Sequence, residues 1–108
     1  MANNESLAKR IDELIKGKKN FTCKEMFGGV GYLLNGNMCV GIHKDDLIIR
    51  YDPKLTEEIN KTKNVRPFDI TGRLMKGWSL VSSEGIKGFG LNKWFELSSG
   101  FVKSLPKK

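Results

Sequence analysis

Met26-Phe27-Gly28-Gly29-Val30-Gly31-Tyr32-Leu33-Leu34, Asn35-Gly36, Asn37-Met38-Cys39-Val40-Gly41-Ile42, His43-Lys44-Asp45-Asp46, Leu47-Ile48-Ile49-Arg50: the reading of this run decides the fold. Asn-Gly between two apolar runs marks a two-residue hairpin, because both residues accept the positive φ that a type I′ turn demands. The first two strands therefore pair antiparallel. Lys44-Asp45-Asp46 then reverses the chain again, since the aspartates can hydrogen-bond their own backbone. The result is a three-stranded meander.

The flanks read as helices and one further strand. Over residues 5–16, Leu7, Ile11, Leu14 and Ile15 form the stripe of a helix with one buried face. Asn4 suits its N-cap and Gly17 its end. Phe21-Thr22-Cys23 is an extended lead-in to the sheet. Asp52-Pro53 starts a second, short helix ending near Lys61, with Leu55 and Ile59 on its inner side. Pro67 and Gly72 make residues 65–73 an ordered loop. Residues 75–82 alternate as a strand, residues 83–90 form a loop with three glycines, and residues 91–105 form the last helix, ended by Pro106. The order α-β-β-β-α-β-α describes a two-layer α+β domain: an antiparallel sheet of about four to five strands with helices mainly on one face.

At 108 residues the chain is a single domain, 1–108. It has no bilayer-length apolar run and a polar start, so a cytoplasmic protein without a membrane partner is expected. Cys23 and Cys39 have neither disulfide-framework nor zinc spacing and read as buried, reduced thiols. The net charge of +7 favours polyanionic partners, but the lysines are scattered.

Gly28-Gly29-Val30-Gly31 is no phosphate cradle, because a strand follows it where a cradle needs a helix N-terminus. Gly28, Gly29, Gly31 and Gly36 read as structural glycines, permitting close approach, a bulge or a turn. His43 lies beside Asp45 and Asp46 without a nucleophile, and a solvated turn histidine is the simpler reading. No catalytic, cofactor-binding or metal-binding residue is assigned. The constellation Arg50, Tyr51, Arg66, Phe68, Arg73, Lys76 and Trp78 is the candidate interaction surface, because arginine forks and aromatic faces recognise anions and anchor partners. A structural reading stands beside it, with Arg50 paired to Asp52 or Asp69 and with Phe68 and Trp78 in the core.

Three stretches together resemble the N-terminal domain of the TfoX/Sxy family. They are Met26 to Tyr32 with Leu34-Asn35-Gly36-Asn37-Met38; Leu47-Ile48-Ile49-Arg50-Tyr51-Asp52; and Arg66-Pro67-Phe68-Asp69-Ile70-Thr71-Gly72-Arg73-Leu74-Met75-Lys76-Gly77-Trp78. Trp94 and Ser104-Leu105-Pro106 fit as well. The resemblance implies a small α+β domain and, in full-length members, a regulator of natural competence genes acting with a transcription activator. Longer members carry a second, helical C-terminal domain, so the expectation here is a stand-alone N-terminal domain. The family offers no established catalytic residues to transfer. The expected function is therefore a small non-enzymatic regulatory or protein-interaction module, with another protein, such as a transcription factor, as partner. Direct nucleic-acid binding through a basic surface is the first alternative, and an enzyme without a recognisable motif is the second. A bare sheet face and an exposed edge also point to a homodimer.

Overall fold

The computed structural model describes residues 5–26, 29–68 and 75–106. Helix α1 (Glu5–Ile15) leads into strands β1 (Phe21–Met26), β2 (Gly29–Leu34), β3 (Asn37–His43) and β4 (Asp46–Arg50). A 3₁₀ turn at Pro53–Leu55 then enters helix α2 (Thr56–Asn60). Strands β5 (Val65–Pro67) and β6 (Trp78–Val81) follow, then a 3₁₀ turn at Ser83–Ile86 and helix α3 (Gly90–Lys103). The six strands form one α+β sheet of order β1-β2-β3-β4-β6-β5, antiparallel throughout.

The Asn35-Gly36 hairpin forms as its chemistry requires, with φ of 56° and 83°. The sheet has six strands rather than four to five, and both additions are edge strands. β1 extends beyond the lead-in and takes Met26, which pairs with Gly29, so the chain already reverses there. β5 lies in the segment read as a loop. It is three residues long and ends in Pro67, which an edge strand tolerates. Residues 83–86 form a 3₁₀ turn with Ile86 buried, where the sequence reads as a plain loop.

The larger core lies where the helices meet the sheet. Leu7 and Ile11 of α1, Ile59 of α2, and Leu91, Trp94, Phe95 and Val102 of α3 pack with Val40, Ile42, Leu47 and Ile49. The other face is not bare: Met38, Ile48, Phe68 and Leu80 form a second, smaller core there, with Met75 and Trp78 packed against it. β2 and β3 slip register between Tyr32 and Leu33, which pair with Val40 and Met38 and leave Cys39 as the extra residue of a bulge. Among the described residues, no helix is long and apolar enough to cross a membrane.

Of the glycines read as structural, Gly29 and Gly31 are buried in β2, Gly36 makes the turn, and Gly28 lies outside the described residues. Gly41, opposite Gly31, is a position in the sheet where space itself is limiting. A Cβ there would stand 2.7 Å from Met38 Cε and 2.9 Å from the Val30 carbonyl oxygen. The methionine can move but the backbone of β2 cannot without breaking pairing. Gly41→Ala should therefore cost about 1–3 kcal/mol, read as a lower urea midpoint at unchanged slope. An unchanged midpoint would show that β2 and β3 separate freely.

Candidate interaction surface around Arg50

Alternation along β4 sends Leu47, Ile49 and Tyr51 to the helix side and Ile48 and Arg50 to the other. Arg50 pairs across the sheet with Trp78, and its guanidinium lies 5.1 Å from the centre of the Trp78 ring. Phe101 of α3 approaches the same group at 5.9 Å. Arg50 Nη1 donates to the Met38 carbonyl at 3.2 Å. Below it, the Arg50 backbone N–H donates to Ser98 Oγ of α3, also at 3.2 Å. The guanidinium is thus half-buried between two rings, and desolvation lowers its pKa from the ordinary arginine value. Among the described residues no carboxylate forms an ion pair with it. Asp52 is instead the cap of the following turn, accepting from the Lys54 N–H at 3.0 Å. Asp69 lies outside the described residues.

The remaining members of the predicted constellation separate. Tyr51 is fully buried, its hydroxyl donating to Ser79 Oγ at 2.6 Å with the Trp78 carbonyl as a longer second acceptor at 3.3 Å. Ser79 in turn donates to Asn60 Oδ1, which ties α2 to β6. Phe68 is also fully buried and packs on Trp78, with ring centres 5.9 Å apart. Both aromatic side chains are therefore core, while Trp78 is half-buried and shared between core and surface. Arg66 is exposed on β5 and forms an ion pair with Asp46 at the start of β4. Arg50 sits at the other end of that strand, so the two arginines diverge. Lys76 occupies the exposed turn before β6 and lines a shallow groove with Pro53, Thr56 and Asn60 of the α2 region. That turn is held by Gly77, whose φ of 84° and 3.0 Å clearance from the Tyr51 carbonyl exclude a side chain. Arg73 lies outside the described residues.

Sequence reasoning missed Ser98 and Phe101. Ser98 was detectable in principle, as the one polar residue on the buried stripe of α3. Phe101 carries no such signal, because a helix places it by rotation alone.

The thiols divide as well. Cys39 is buried in the bulge, and burial pushes its pKa up to about 12, with the Arg50 charge pulling the other way. Cys23 is exposed on edge strand β1, which corrects the expectation that both are buried. Tyr32 is likewise pushed up to about 12, by burial first and then by Asp12, to which it is hydrogen-bonded. His43 sits half-buried at the end of β3, and Asp46 opposite it is taken by Arg66. Among the described residues, no group of three or more His, Cys, Asp or Glu is placed to hold a metal ion.

The family model of the TfoX N-terminal domain matches residues 13–101, and the chain belongs to that family. Neither the curated proteins nor the solved structures give a significant match.

Arg66→Ala should change stability by only about 0–1 kcal/mol, because its ion pair is solvent-screened, whereas Tyr51→Phe should cost about 1–2 kcal/mol by stripping a buried hydroxyl network. Denaturant titration of both variants checks the contrast. In alkali, the neutral Cys39 thiol and Tyr32 phenol are favoured by the fold, while the unfolded chain loses these protons from about pH 9 and 10. Stability should therefore be intact below pH 9 and fall as pH rises towards 12. Native thiol titration at pH 8 should label Cys23 alone, and labelling of Cys39 without denaturant would show that the bulge opens.

Proposed function

We propose that this member of the TfoX N-terminal domain family is a non-enzymatic regulatory module that binds another protein through the Arg50–Trp78 surface. The observation that carries this reading is the state of Arg50. A guanidinium has five donors, and among the described residues one of Arg50's reaches an acceptor, the Met38 carbonyl. Its guanidinium lies against the rings of Trp78 and Phe101, so much of its rotamer entropy is already lost before a ligand arrives. A carboxylate docking there meets a fixed fork in a half-desolvated site, where an ion pair is stronger than on the open surface. An acidic segment of a partner protein fits this chemistry. The family resemblance favours a transcription factor as that partner, and the lack of a bilayer-length apolar run in the sequence favours the cytoplasm as the setting.

Direct nucleic-acid binding is the second reading, supported by the net charge of +7. Fluorescence of Trp78 and Trp94 separates the two when the protein is titrated with a Glu-rich peptide, duplex DNA and single-stranded RNA at low and physiological salt. The acidic peptide should produce a saturable change that survives physiological salt. Arg50→Lys, which keeps the charge but loses the fork, should weaken it by about tenfold or more. Nucleic-acid binding should fade steeply with salt. Tight DNA or RNA binding that survives physiological salt and is indifferent to Arg50→Lys would overturn the proposal.

A further inference from the structure

Helix α3 presents three unlike faces. Leu91, Trp94, Phe95, Ser98 and Val102 are buried towards the sheet, and Phe101 turns to Arg50. The third face, with Glu96, Ser99, Gly100 and Lys103, borders a groove of about 380 Å³. Leu14 and Lys18 form the facing wall, and Phe21 and Phe95, stacked with centres 5.7 Å apart, are also part of the lining.

Two features of this face have no contact that uses them among the described residues. Gly100 lies in the last turn of α3, where glycine still forgoes the helix propensity of alanine, yet a Cβ there would meet nothing within 4 Å. Glu96 and Lys103 are exposed, and neither takes part in an ion pair among the described residues. Being two turns apart on one helix, they are beyond each other's reach.

We propose that this face is a homodimer interface, in which α3 of a second copy packs antiparallel with its two-fold axis at Ser99–Gly100. An isologous contact must be self-complementary: whatever residue meets another is met by it in return. Glu96 and Lys103 satisfy this, because each lies 3.5 residues from the point between Ser99 and Gly100, on opposite sides. Antiparallel packing about that point sets Glu96 of each copy against Lys103 of the other. The small residues at the crossing let the helix axes approach closely, which explains a glycine that the monomer does not need. Leu14 and Phe21, both half-buried, supply the apolar part of the contact. The Arg50 surface stays open, since Phe101 projects from a different side of the helix. One helix pair is a small interface, so the dimer should be reversible, with a dissociation constant on the order of 10 μM.

Sedimentation equilibrium of the full chain, from about 5 μM to about 1 mM, tests the proposal. The wild type should show a monomer–dimer equilibrium. Gly100→Leu should weaken it about tenfold or more without lowering the thermal midpoint of the dilute protein, because the site is open in the monomer. Glu96→Lys should also weaken it, by opposing lysines, and Glu96→Lys combined with Lys103→Glu should restore it. Arg50→Lys should leave it unchanged, which keeps this test independent of the proposed function. A wild type monomeric throughout the range overturns the proposal. So does a dimer that is indifferent to both Gly100→Leu and the charge reversal.

Discussion

The structure depends on covering strand β4 from both sides. Leu47, Ile48 and Ile49 are 0 %, 1 % and 0 % exposed, and consecutive strand residues point to opposite faces. Helices on one face alone would leave Ile48 in water. The second cover comes from Met38, Phe68 and Leu80, and delivering Phe68 explains the excursion that follows β4. The chain leaves through α2, returns along the far edge as β5, and closes a loop in which the Met75 N–H donates to the Phe68 carbonyl at 3.2 Å. The Tyr51–Ser79–Asn60 hydrogen bonds fasten the departing helix to the returning strand. Without that return, β4 would be half exposed and the sheet would stop at four strands.

Arg50 continues the alternation set by β4, and its position decides its chemistry. As the next residue after Ile49 it must leave on the face of Ile48 and Phe68, close to a small apolar core. Burial of a charge there is costly, but guanidinium is weakly hydrated and can lie against ring faces, which lysine does poorly. Trp78 and Phe101 supply those faces. Arg66, by contrast, is 53 % exposed and already has Asp46. Water screens that pair, so its energetic weight is small and its capacity for a new ligand is reduced. Two arginines that look alike in the sequence thus differ because one stands at a covered strand end and the other on an open edge.

The legible parts of the fold were those governed by local rules. The Asn35-Gly36 turn, the α1 stripe of Leu7 and Ile11, and the Asp52-Pro53 start each follow from what a residue does to its own backbone or to neighbours one turn away. The edge strands were harder: β1 mixes Lys24 and Glu25 into its pattern because only its inner side pairs, and β5 is too short to show a period. The run Leu47-Ile48-Ile49 carries a signal of burial on both faces, since a half-exposed strand would alternate, but the expectation of a bare sheet face passed over it. What covered the second face was not visible, because Phe68 reaches it through a long-range return. For the same reason Tyr51 and Phe68 were grouped with a surface they do not join: sequence gives their chemistry, and only the sheet register gives the direction in which each points.

Helix α3 shows how one periodicity divides labour. At about 100° per residue, an exposed Glu96, a buried Ser98 and a ring at Phe101 fall on different sides of one cylinder. Buried Ser98 accepts the Arg50 backbone N–H, and Phe101 bears on the same residue's side chain. The helix therefore fixes Arg50 twice, while its outer stripe makes no such inward contact. Gly100 stands between these faces and serves neither the sheet nor Arg50, so its cost in helix propensity must be offset outside the monomer or not at all. A glycine required by a turn shows a positive φ, as Gly77 does, and one required by packing shows a crowded Cβ position, as Gly41 does. Gly100 has ordinary helical backbone and open space. That open space is what the proposed contact with a second copy would use.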